Sequence, residues 1–128
     1  MKNVLLVILV LVTISCINQT VKTETTFLEN RSFEEVWRAS IRAVDDILFT
    51  IDSIDKEAGF IGAERGTHPF GGDVPPRLTI MIREYAGCIS VDCKVLQKDQ
   101  FIDLLQMGEK IVREFKGALN RNLIQGGN

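Results

Sequence analysis

Arg77–Leu96 reads RLTIMIREYAGCISVDCKVL. Leu78, Ile80 and Ile82 fall on one side of an extended chain and Thr79, Met81, Arg83 and Tyr85 on the other. Beyond Ala86-Gly87, the residues Ile89, Val91, Cys93 and Val95 are again apolar at alternate positions, the period-two pattern of a half-buried strand. A two-residue loop at Ala86-Gly87 sets Leu78 opposite Val95, Ile80 opposite Cys93 and Ile82 opposite Val91, so one face of the hairpin is wholly apolar. Ala is less favourable than Asn or Asp at the first position of such a turn, which leaves a longer, bulged loop open.

A second hairpin lies upstream. Phe49, Ile51 and Ser53 alternate with Thr50, Asp52 and Ile54, the turn-like Asp55-Lys56-Glu57-Ala58-Gly59 follows, and Phe60–Arg65 resumes the extended pattern. With a five-residue loop, Ser53 faces Ile61, Ile51 faces Ala63 and Phe49 faces Arg65, while Ile54 meets Phe60 on the other face. The Gly66–Pro76 segment between the hairpins holds three glycines and all three prolines of the chain, so it is a surface loop.

A helix flanks each end of this region. Ser32 followed three residues later by Glu35 is a capping box. After it, Phe33, Val36, Trp37, Ser40, Ile41, Val44, Ile47 and Leu48 form an apolar stripe at three- and four-residue steps. From Asp99 to about Asn122, Phe101, Leu104, Leu105, Gly108, Ile111, Val112, Phe115, Leu119 and Leu123 form a second stripe. Gly108 on that stripe weakens the helix by about 1 kcal/mol relative to Ala, which points to close approach against the sheet or the first helix. The expected fold class is α+β: a two-layer sandwich of order α-β-β-β-β-α, its four-stranded antiparallel sheet covered by both helices on one face.

The amino terminus decides where this body works. Met1–Cys16 reads MKNVLLVILVLVTISC, one Lys before an apolar run from Val4 to Val12. Spanning a bilayer takes about 20 apolar residues, so this is the layout of a cleaved secretory leader. Thr13-Ile14-Ser15-Cys16 resembles the lipobox of bacterial lipoproteins, with Thr13 where Leu is usual. The resemblance implies cleavage after Ser15 and acylation of Cys16; several acyl chains on one residue would hold a protein at a bilayer essentially permanently. Ile17 rather than Asp after the cysteine implies the periplasmic side of the outer membrane. The division that follows is 1–15 leader, 16–30 lipidated cysteine and flexible tether, 31–124 a single domain, and 125–128 a disordered tail. The thirteen residues Ile17–Glu29, rich in Thr and other polar types, would reach about 40 Å fully extended.

The helix Ser32–Leu48, the strand and turn Phe49–Gly59 and the second hairpin before a carboxy-terminal helix resemble the BamC-type domains of outer-membrane assembly lipoproteins, which share a helix-grip layout. That resemblance supplies no catalytic residues and implies a scaffold role.

The remaining residues narrow the function. A net charge of −2 without a basic cluster argues against nucleic acid or an anionic headgroup surface as partner. His68 is the sole histidine, with only Asp73 near it in sequence, and no zinc spacing exists. Ser90 lacks elbow glycines, and Gly71-Gly72 lacks the lysine and helix start of a phosphate cradle. No enzyme, metal or cofactor is expected. Cys88 and Cys93, five residues apart on one strand, point to opposite faces about 16 Å apart and cannot bond to each other; Cys93 is expected buried and Cys88 exposed. The candidate partner-binding face is the outward side of the sheet, with Ile54, Phe60, Met81, Arg83 and Tyr85. The loop residues His68, Phe70 and Asp73 extend it. The expected partners are the membrane, through the lipid anchor, and an envelope protein. The alternative is a small apolar ligand in a cavity between helix and sheet, for which Ser40, Ser53 and Glu84 are the only nominal polar groups.

Overall fold

The computed structural model describes residues 19–66, 75–98 and 104–126. Its elements are β1 (Gln19–Glu29), α1 (Phe33–Asp46), β2 (Phe49–Asp55), β3 (Phe60–Arg65), β4 (Arg77–Tyr85), β5 (Cys88–Lys98) and α2 (Leu104–Gln125). The strands form one antiparallel sheet in the order β1-β5-β4-β3-β2. The α+β class holds, but the sheet has five strands, not four.

The additional strand is the segment expected to be a tether. Gln19–Glu29 pairs with β5 along its whole length, from Gln19 opposite Lys98 to Glu29 opposite Cys88. Its inward positions hide the period of two because they carry charge: Lys22 pairs with Glu109 at 3.6 Å and Glu24 with Lys116 at 2.8 Å, both on the flank of α2. The β-branched Thr20, Val21, Thr23, Thr25 and Thr26 suit a strand nonetheless. Without β1, β5 would present an open edge of eleven residues.

α1 begins as expected. Ser32 caps it, its Oγ accepting from the Glu35 N–H at 3.2 Å while the Glu35 carboxylate accepts from the Ser32 N–H at 2.9 Å. Phe33 and Trp37, one turn apart, stack with centroids 5.9 Å apart. The helix ends at Asp46, so Leu48 leaves the stripe: it takes φ +64° and stands 78% exposed. α2 runs to Gln125 rather than Asn122, and the Leu123 carbonyl accepts from Arg31 at 3.3 Å, so the first residue of the expected tail is helical. Residues 99–103, including Phe101, lie outside the described residues. A Cβ on the buried Gly108 would stand 3.4 Å from the Lys22 Cβ, so that glycine lets α2 approach β1.

The core lies between the helices and the inward sheet face. Val36, Trp37, Ala43 and Val44 from α1 and Ile111, Val112, Phe115 and Leu119 from α2 close over Ile61, Leu78, Ile80, Val91 and Val95. Each fully buried Val, Leu, Ile or Phe is worth roughly 1.5–3 kcal/mol. An exposed ion pair is worth about 0–1 kcal/mol, so this layer holds the fold.

Both hairpins are present, with one change of register. Leu78–Val95, Ile80–Cys93 and Ile82–Val91 pair as expected, and the loop is two residues, with φ +40° at Ala86 and +86° at Gly87 and no bulge there. In the first hairpin Phe49–Arg65 and Ile51–Ala63 hold, but a bulge between Ile51 and Ser53 moves Ser53 opposite Gly62, Ile54 opposite Ile61 and Asp55 opposite Phe60. The turn is tied by Asp55, whose carboxylate accepts from the Ala58 N–H at 3.0 Å, and by Gly59, whose carbonyl accepts from the Ile82 N–H at 2.8 Å.

Candidate functional site

The outward face of the sheet has two ends of different chemistry. Near the start of β1 it is polar and satisfied within itself. The bulge turns both Asp52 and Ser53 outward, and the Arg77 guanidinium of β4 reaches across β3 to meet them. It donates to the two Asp52 oxygens at 2.7 and 3.0 Å, to Glu64 at 2.8 Å and to the Ser53 hydroxyl at 3.5 Å. Gly62 lies beneath this fork: a Cβ there would come 2.3 Å from the Ser53 Oγ and 3.0 Å from Arg77 Nη2. The Arg77 hydrogen bonds hold the Asp52 carboxyl below the usual carboxylate range and Asp52 raises Arg77 in turn. Further along the face, on the rung that carries Met81 and Phe60, the Thr25 hydroxyl donates to Asp92 at 2.7 Å.

Toward the Ala86-Gly87 loop the face is apolar and open. Phe60 and Met81 sit opposite each other on β3 and β4, both half-buried. Phe27, on the edge strand, is 68% exposed, and Tyr85 is 55% exposed. Between them on β5 stands Ser90, opposite both Phe27 and Arg83; it is only 3% exposed and so forms the floor of a furrow whose walls are longer side chains. Arg83 makes no ion pair or hydrogen bond among the described residues.

Phe60, Met81, Arg83 and Tyr85 therefore share the outward face, as expected from the period of two. Ile54 does not: the bulge places it opposite the inward Ile61, although at the edge of the sheet it remains 54% exposed. Phe27 replaces it, a residue hidden from sequence reasoning because its segment looked like a tether. Cys88 is half-buried rather than exposed, because strand neighbours Glu29 and Tyr85 stand on either side of it. Cys93 is buried as expected, both thiols are free, and burial, then the Glu24 charge, pushes the Cys93 thiol up to about 12. Cys16, His68, Phe70 and Asp73 lie outside the described residues; the segment carrying the last three joins the end of β3 to the start of β4.

No family model matches the sequence, and no curated protein matches it significantly. Solved structures do match. An uncharacterised protein from Bacillus thuringiensis superposes with a TM-score of 0.59 at 12% identity, over 82% of this chain and 99% of that one. Ara h 8.0201 gives 0.60 at 11% identity, over 82% and 98%. The protein XoxI from Bacillus cereus gives 0.57 at 12% identity, over 88% and 99%. The likeness is one of fold.

Of the three polar groups considered for a helix–sheet cavity, Ser53 faces outward, and Glu84, opposite the inward Ile89, is exposed near the end of β4. Ser40 alone of the three is buried, at the level of the core, and its Oγ has no hydrogen-bond partner among the described residues. Grooves do lie along the outer seams of the helices, one between the start of α1 and the end of α2 beside Arg38, Arg42 and Asn122. Among the described residues no three metal-ligating side chains converge, and no helix is long and apolar enough to cross a membrane.

Proposed function

We propose that the chain is a lipid-anchored protein of the bacterial envelope, held by Cys16 at the periplasmic side of the outer membrane, whose domain is a non-catalytic protein-binding module in outer-membrane assembly or maintenance. What carries the binding role is the open end of the outward face: Phe27 and Tyr85 exposed, Phe60 and Met81 beside them, and Arg83 without a partner among the described residues. Aromatic and Arg side chains dominate protein interfaces because they give large rigid contact area and directional donors at small cost in conformational freedom. Phe27→Ser with Tyr85→Ser in the full-length protein removes that area without touching the core. Capture of a partner from solubilised envelope should fall at least tenfold while the melting temperature holds. Equal capture by the variant would end this reading.

The buried, unpartnered Ser40 hydroxyl supports a second reading, a small apolar ligand between helix and sheet that accepts or donates one hydrogen bond there. The large side chains that fill the layer weigh against it. A native mass spectrum of the protein taken from its own membrane would carry a ligand adduct in that case and none otherwise.

A further inference from the structure

The strand at Gln19 changes what an acyl anchor at Cys16 would do. Only Ile17 and Asn18 separate the two, three Cα-to-Cα steps that span about 11 Å at most. A leash of that length cannot carry the domain clear of a bilayer. It also selects one end of the molecule, because antiparallel pairing collects particular strand ends beside Gln19. These are the end of β5 at Lys98, the start of β4 at Arg77, the end of β3 at Arg65 and the start of β2 at Phe49.

What stands at that end fits a lipid surface. Leu48, immediately before Phe49, is the most exposed large apolar side chain among the described residues. It also holds the left-handed conformation that follows a helix end, a position that favours Gly or Asn. Val21 on β1 and Met107 on α2, the latter next to the Gly108 that abuts Lys22, are exposed at the same end. On the same flank Lys22 and Lys110 are paired with Glu109 and Glu114, which leaves Arg113 as the basic side chain making no ion pair among the described residues.

Resting on the anchor reading above, we propose that this end of the domain docks on the bilayer that holds the Cys16 chains, with Leu48 entering the headgroup layer and the Lys56–Gly59 and Ala86-Gly87 turns directed away. The open end of the outward sheet face is then presented to the periplasm.

The test uses the full-length acylated protein in vesicles of phosphatidylethanolamine and phosphatidylglycerol, with or without brominated acyl chains. Leu48→Trp is compared with Glu57→Trp in the far turn, the signal of the buried Trp37 being common to both. Brominated lipid should quench the added fluorescence severalfold more in the Leu48→Trp protein. Equal or reversed quenching, in protein whose mass confirms the acyl chains, would overturn the docking. Inserting about ten Gly/Ser residues after Asn18 should erase the difference; its survival would overturn the leash as the cause. A mass without acyl chains would instead overturn the anchor reading on which the docking rests.

Discussion

The two ends of the outward sheet face are built on the same strands and differ in whether their side chains satisfy one another. At one end Arg77 gathers Asp52, Glu64 and Ser53 over Gly62. At the other, Phe27 and Tyr85 face solvent and Arg83 has no partner among the described residues. A network whose donors and acceptors are all matched has nothing to offer a second molecule, and its work is to tie β2, β3 and β4 together. Side chains that leave apolar area and a cation unmatched are the ones a partner can complete. Burial alone would not separate them, since Arg77 and Met81 are both half-buried.

The largest effect expected from any change near these two ends is at neither patch but at the β2–β3 turn beside the apolar end. Gly59 has φ +70°, and a Cβ there would stand 2.1 Å from the Ile82 carbonyl oxygen, a backbone atom that cannot move aside. Gly59→Ala should destabilise the domain by roughly 3 kcal/mol or more, from left-handed strain plus the loss of the bond to Ile82. Thermal unfolding by circular dichroism measures it. A melting temperature like that of the wild type would break the register on which the comparison of the two ends rests.

Next in size is an effect that tells the two faces apart. Below pH 9.0 the Cys93 thiol is protonated in both folded and unfolded chains; above it, only the unfolded chain loses the proton until about pH 12. The unfolded state therefore binds fewer protons across that window, and stability falls as pH rises through it. Cys93→Val should flatten this alkaline slope, whereas Cys88→Ser on the outward face should leave it in place. Equal slopes in the wild type and Cys93→Val would show that the thiol is not shielded.

Arg77→Met should act less, because the fork is half in water. Its signature is the pH dependence. The Asp52 carboxyl is held below its ordinary 3.8 by Arg77, so the pairing contributes above that value and is lost as pH falls through the lowered one. The melting temperatures of the wild type and Arg77→Met should differ at neutral pH and converge below pH 3.8. A constant difference would mean that Arg77 acts through packing alone.

The inward sheet face was legible from sequence because its neighbours are apolar helices: Leu78, Ile80 and Ile82 announce themselves at every second position. β1 was not, because its inward residues Lys22 and Glu24 meet Glu109 and Lys116 rather than the core, and charge at alternate positions reads as solvation. Losing β1 cost the candidate face Phe27. The bulge at Asp52 was equally hidden, since the alternation continues unbroken through Ile54 in the letters; only the pull of Arg77, twenty-five residues away, turns Asp52 and Ser53 to one side. Local pattern reports what a strand packs against, and where the packing partner is a charge placed far along the chain, the pattern is silent.

The smallest expected change sharpens the comparison from the apolar end. Ala86 holds φ +40° in the two-residue loop, where a non-glycine residue is strained and Asn is tolerated better. Ala86→Asn should therefore stabilise the domain by roughly 0.5–1 kcal/mol, the range typical of relieving a single unfavourable turn residue. Because position 86 lies beside Tyr85 but contributes only a methyl group, partner capture by the open end should stay within twofold of wild type. If capture drops with the fold stabilised, then the loop itself, and not the Phe27–Tyr85 furrow, is what the partner reads.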